Sequence, residues 1–182
     1  MKYLLFNKPY GVLCQFTDAE DRSTLKDYIS IPNVYAVGRL DIDSEGLLLL
    51  TDDGSLNKKI ADPKSKQFKT YWAQVEGIPT EEQLAQLRKG VRIKDYLTLP
   101  AQASLLGEEI KIWPRPKPIR FRKTVPTSWI ELKIQEGKNH QVKKMTAAVG
   151  LPCLRLIRVA IGSLELGDLK PGEHKQISRP TL

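Results

Sequence analysis

At 182 residues the chain is long enough to bury a core, as one domain or as two tightly joined lobes. Its 29 Lys and Arg against 21 Asp and Glu leave a net charge of +8, an excess that suits a polyanion, nucleic acid above all, and also serves plain solubility. No apolar run approaches membrane-spanning length, and the first residues, with one lysine before a short apolar stretch, do not make a signal peptide.

The pattern begins with a strand over residues 3–6, ended by Lys8-Pro9-Tyr10-Gly11. Ser23 is expected to cap a short helix through Ile29, before Pro32. The four leucines Leu47 to Leu50, bounded by turn residues, read as a buried strand. Ser55 is expected to cap the next helix, which Pro63 stops. Residues 70–75 read as a strand carrying Tyr71 and Trp72. Thr80 with Gln83 forms a capping-box pattern, Leu84 and Leu87 supply the apolar face, and Gly90 ends that helix. In residues 129–135, Ile130, Leu132 and Ile134 share one face of a strand, with Glu131, Lys133 and Gln135 opposite. Asn139 is expected to cap a helix striped by Val142, Met145 and Val149, and Gly150 closes it. Residues 154–161 form a last strand. Strands and helices mix without strict alternation, so the fold class is α+β with a largely antiparallel sheet. Cys14 and Cys153 stand far apart with no CxxC, which fits reduced thiols of the cytoplasm rather than a disulfide scaffold.

One stretch concentrates the chemistry. In VGRLDIDSEGLLLLTDDG, residues 37–54, Arg39 and Asp41 bracket a leucine just upstream of the leucine strand. Carboxylates are seldom buried without a partner, so Asp41 is either structurally paired or there for a reaction. Asp43, Asp52 and Asp53 read as solvated turn residues. Asp41, Asp43, Glu45, Gly46 and Asp52 also fall at positions one, three, five, six and twelve of a calcium-loop pattern. Leucines at positions seven to ten, Asp at twelve and the lack of a preceding helix argue against a metal. An aspartate-pair phosphotransferase would want its strand before the first Asp, whereas here it follows.

This block resembles the catalytic motif of bacterial rRNA pseudouridine synthases of the small-subunit synthase A superfamily. Asn7 to Gly11 resembles their N-terminal Lys-Pro motif. Residues 137–145, GKNHQVKKM, followed by Val149-Gly150 and Leu154-Arg155-Leu156, resemble their C-terminal basic motif. Segments such as IPTEEQLAQLRKGV and VPTSWIEL look most like the subgroup that modifies 23S rRNA, the large-subunit synthase E type. The resemblance implies one catalytic domain over residues 1–182, with two lobes and a central cleft. Relatives often carry a small RNA-binding domain before the Lys-Pro motif. Here only six residues precede Asn7, so no such accessory domain is expected.

By the same resemblance Asp41 is the catalytic carboxylate, acting without cofactor or metal because the uracil leaves and rejoins the same ribose. Lys143 stands where the family places a basic residue beside the aspartate. A cation there would favour the ionised carboxylate in a closed pocket, although lysine lacks the bidentate geometry of arginine. Off the helix stripe, Lys143 suits a solvated face equally. Tyr71 resembles the tyrosine that stacks on the target uracil, and core packing is its alternative. Leu156 resembles the apolar wall of the base pocket, with a plain core leucine as the other reading. Arg39 is expected to hold a phosphate or to fill the gap left by a flipped nucleotide.

The stretch WPRPKPIRFRK, residues 113–123, holds Arg115, Lys117, Arg120 and Arg122 with no acid among them. Its three prolines oppose a regular strand, while Trp113 and Phe121 offer stacking surfaces. It reads as an RNA-backbone contact, against a merely solvated loop. The expected partner is 23S rRNA or a large-subunit assembly intermediate, met in the cytoplasm by a monomer. The rival readings are the same chemistry on small-subunit rRNA or tRNA, and a non-catalytic RNA-binding assembly factor.

Overall fold

The computed structural model describes residues 1–182. In chain order the strands are β1 (Tyr3–Lys8), β2 (Tyr35–Val37), β3 (Glu45–Thr51), β4 (Lys69–Glu76), β5 (Arg92–Ile93), β6 (Tyr96–Leu97), β7 (Gln102–Leu105), β8 (Thr127–Ile134), β9 (Cys153–Ile161), β10 (Leu164–Glu165) and β11 (His174–Gln176). The α-helices are α1 (Gly54–Ala61), α2 (Glu81–Lys89) and α3 (Gln141–Ala148). The chain divides into two compact units, one of Met1–Gln67 with Ile157–Leu182, the other Phe68–Leu156. The class is α+β, and the strand pairing is largely antiparallel.

In the first unit β3 lies against β1 and β2, antiparallel to both, and β11 lies beyond β1. The middle of β9 joins the start of β3 in parallel, at Glu45↔Ile157 and Gly46↔Arg158. All four residues Leu47 to Leu50 are fully buried. A strand covered on both faces reads as a continuous apolar run, which is why alternation is missing here. Leu48 and Leu50 pack with Leu4, Phe6, Val12, Leu25, Ile29 and Val34 in one core. Gly46 has φ +107°, and a Cβ there would overlap the backbone carbonyl of Arg158. Only glycine allows β3 and β9 to approach at this point.

Three helix starts differ from those read in the sequence. Thr24, not Ser23, caps the turn at Leu25–Asp27, a single 3-10 turn with Asp27 completing a capping box. Asp53, not Ser55, caps α1, and Asp53 is buried rather than solvated. Its carboxylate accepts from the Ser55 hydroxyl at 2.6 Å, from the Ser55 and Leu56 amides at 3.1 Å each, and from the Tyr3 hydroxyl at 2.8 Å. Those donors, with Arg179 at 3.3 Å, hold its carboxyl down at about 2, the Ser55 hydroxyl contributing most. His140, not Asn139, precedes α3, in the left-handed region and without a side-chain cap.

In the second unit β8 pairs along its length with β4 and also with β7. The alternation expected of β8 is present: Ile130, Leu132 and Ile134 are buried. α2 begins at the Thr80–Gln83 capping box and ends at Gly90, as its sequence indicates, with Leu84 and Leu87 buried. The two-residue strands β5 and β6 form a separate small hairpin.

Candidate active site and RNA-binding segment

Asp41 opens a tight turn in the first unit, directly before β3. The Ser44 amide donates to the Asp41 carbonyl at 3.0 Å, and the Gly11 amide donates to the Ile42 carbonyl at 2.8 Å. Beneath this turn lies a residue that sequence reasoning placed in a motif but gave no role. Lys8 is fully buried, and its ammonium donates to the carbonyls of Pro9 at 2.8 Å, Val12 at 2.7 Å and Ile42 at 3.4 Å. Lys8 thus ties the turn after β1 to the residue following Asp41. Burial pulls its ammonium down to about 8. The charges of Cys14, Glu45, Asp43 and Asp41 pull the other way. The signal for this role was a lysine placed before proline at the end of an apolar strand. Asp41 itself is half-buried, and Arg39 and Asp43 are exposed.

Ser44 and Glu45 are buried where the turn enters β3, and Arg158 is buried alongside. The Arg158 guanidinium donates through Nε to the Leu47 carbonyl at 2.8 Å. The backbone carrying Asp41 is therefore held from two sides, by Lys8 and by the β3–β9 junction.

Tyr71, Leu156, Lys143 and the basic stretch belong to the second unit. On β4, Tyr71 lies opposite Leu132 and is buried, while Trp72 lies opposite Glu131 and donates to its carboxylate at 3.2 Å. Strand alternation splits the two rings, and the tyrosine is the inward one. Leu156 on β9 is also buried. Lys143 lies half-buried on α3, off the buried Val142 and Met145.

The start of α3 is organised around Gln141, which lies in the C-terminal basic motif but was given no role by the sequence reading. Gln141 is buried; its carbonyl oxygen accepts from the Lys138 amide at 3.2 Å, and its amide donates to the Glu136 carboxylate at 3.1 Å. Glu136 also accepts from the Leu99 amide at 2.7 Å, and the Lys138 ammonium lies 3.7 Å from the Tyr96 ring centre. These contacts fix the turn through His140 in place of a conventional cap. A glutamine directly after Asn139-His140 was the available signal.

The basic stretch runs without regular structure between β7 and β8, as its prolines require. The longer loop that carries it is fastened at its two ends: the Leu106 amide donates to the Trp129 carbonyl at 2.9 Å and the Gly77 amide to the Pro126 carbonyl at 2.7 Å. Arg115 is half-buried and donates to the carbonyls of Lys117 and Leu154. Arg122 pairs with Glu76 at 3.6 Å. Lys117, Arg120 and Arg122 are exposed. The aromatic residues differ. Trp113 packs over buried Arg155, whose guanidinium is 5.9 Å from its ring centre and 5.9 Å from that of Trp129. Phe121 is 72% exposed.

A model of the RNA pseudouridylate synthase family matches residues 2–148. The chain belongs to this family. Among curated relatives, the ribosomal large subunit pseudouridine synthase E of Vibrio vulnificus is 55% identical over 180 residues, covering 99% of this chain and 76% of that protein. The ribosomal small subunit pseudouridine synthase A of Vibrio cholerae is 34% identical, covering 97% of this chain and 71% of that protein. A crystal structure of a pseudouridylate synthase superposes with a TM-score of 0.81 at 30% identity, over 97% of this chain and 70% of the other.

As a pseudouridine synthase the chain carries out an isomerisation in which one bond to the ribose is exchanged for another. Its residues offer a carboxylate on a fixed turn, Asp41, and buried tyrosine and leucine side chains. They also offer a half-buried lysine and an exposed cationic segment. No three His, Cys, Asp or Glu side chains gather into a set able to hold a metal ion.

Proposed function

We propose that this chain converts one uridine of 23S rRNA, the RNA of the large ribosomal subunit, to pseudouridine with Asp41 as the catalytic carboxylate. The observation that carries the reading is the Asp41 turn: a carboxylate in the GRLD block, held by buried Lys8 through the Ile42 carbonyl. A reacting group on backbone this constrained keeps its geometry through bond cleavage. The choice of RNA rests on relatedness, since identity is 55% to the large-subunit synthase E and 34% to the small-subunit synthase A.

In the reaction the C1′–N1 bond breaks, the uracil turns, and a C1′–C5 bond forms; the C5 proton then passes to solvent and N1 takes up a proton in its place. Asp41 acts either by attacking C1′ or by taking a proton from C2′. Either role needs the ionised carboxylate. Lys143 is the basic residue of the reaction. Extruding the uridine costs a few kcal/mol. Stacking on Tyr71, worth about 1–3 kcal/mol, and packing on Leu156 offset that cost. Arg39 holds a phosphate or fills the vacated space in the RNA. Arg115, Lys117, Arg120 and Arg122 contact the RNA backbone. The enzyme works as a monomer in the cytoplasm, on 23S rRNA or on a large-subunit assembly intermediate, and uses no cofactor.

Tritium release from uridine-labelled RNA tests this reading, because forming the C5 bond expels the label. Release from 23S rRNA, naked or partly assembled, is expected. Release confined to small-subunit rRNA or tRNA would replace the substrate. Absence of release from every RNA would favour a non-catalytic assembly factor.

A further inference from the structure

Two aromatic residues flank the cations of residues 113–123, and the structure gives them opposite surroundings. Trp113 is taken up at the root of the segment, against Arg155, which Trp129 flanks at the same distance. Arg155 is buried, and the carbonyl of its neighbour Leu154 accepts from Arg115 at 3.4 Å. A planar guanidinium stacks on aromatic faces in a way a lysine cannot. This root, the prolines at 114, 116 and 118 and the Arg122–Glu76 pair hold the segment in a restricted shape before any partner arrives. Phe121 is the opposite case: 72% exposed, with exposed Arg120 and Arg122 on either side and no acid from residue 113 to 123.

A single exposed apolar side chain is ordinary on a protein surface. Here the ring sits between cations on a segment whose mobility is already restrained, so the entropy cost of ordering a partner against it is reduced. Charge complementarity names that partner as a polyanion, and the only apolar surface a nucleic acid offers a phenyl ring is the face of an unstacked base.

We propose that Phe121 is a base-stacking residue, packing on an unpaired nucleobase of the RNA while Arg120 and Arg122 meet the adjoining phosphates. This rests on the reading of the basic segment as an RNA contact and adds a requirement to the substrate: an unpaired nucleotide in reach of the segment. The segment then selects for strand state as well as charge.

The test compares a short oligouridylate with an RNA duplex of equal length, by fluorescence anisotropy across a salt series. Phe121→Ala should weaken oligouridylate binding by about 5- to 150-fold, the equivalent of one base–aromatic stack. Duplex binding and the salt slope should not change, and Phe121→Trp should bind as wild type does. Oligouridylate binding unaltered in Phe121→Ala, or an equal weakening on both probes, would overturn the proposal. The basic-segment reading fails separately: changing Arg115, Lys117, Arg120 and Arg122 to Ala would then leave the salt slope unaltered on both probes.

Discussion

The Asp41 turn and the 113–123 segment are both irregular backbone, yet they are held in different ways. The turn is fixed from below, by a fully buried lysine that reaches three backbone carbonyls and by a strand junction that only glycine permits. The segment is fixed at its root and through the ends of the loop that carries it, with its middle and most of its cations left in water. The difference suits the two proposed tasks. Exchanging a glycosidic bond requires one carboxylate in one place, where a misplacement of about 1 Å costs on the order of 100-fold. Gripping RNA requires several cations spread along a surface, and each of them tolerates adjustment.

That contrast predicts distinct signatures for substitutions in the two regions. Lys143→Ala, at the residue proposed to supply a cation to the reaction, has the largest expected effect: kcat should fall by about 100- to 1,000-fold with RNA affinity retained, and Lys143→Arg should keep most of the activity.

Lys8→Met strips the donor from the Pro9, Val12 and Ile42 carbonyls. The turn loosens, and kcat should fall by up to about 100-fold with KM little altered. A second readout separates this role from simple packing. In the wild type the Lys8 ammonium titrates near 8 when folded, against an ordinary value of 10.5. Between those pH values the unfolded chain binds more protons than the folded one, so stability rises with pH across that window. Lys8→Met should lack the rise, as followed by urea midpoints at successive pH values. A turn that keeps its kcat without Lys8 would remove the contrast.

The smallest effect belongs to the basic segment. Changing Arg115, Lys117, Arg120 and Arg122 to Ala should raise KM by roughly tenfold and leave kcat alone. The salt slope should flatten by about 0.7–0.9 for each phosphate no longer neutralised by the protein. A fall confined to kcat would place the segment in the chemistry.

Much of this was legible in the sequence, for physical reasons. Regular periodicity identified β8 and α2, and the capping box at Thr80 and Gln83 forms as written. The leucine run identified β3, because an apolar stretch that short, between turns, has few alternatives. Other features depended on partners far along the chain. Asp53 looked like a surface carboxylate, yet Tyr3 and Arg179 meet it in three dimensions. Lys8 is buried only because three carbonyls converge on its ammonium. Composition marked the basic segment, but only the fold shows that Trp113 is engaged with Arg155 while Phe121 stays open. The short strands β5, β6, β10 and β11 carry too few residues for periodicity to register.

The most direct measurement is tritium release from C5-labelled 23S rRNA at saturating enzyme, wild type against Asp41→Asn, with RNA affinity determined on the same preparations. The account predicts release by the wild type and background release by Asp41→Asn, at equal affinity for RNA. Release by Asp41→Asn at the wild-type rate would contradict it.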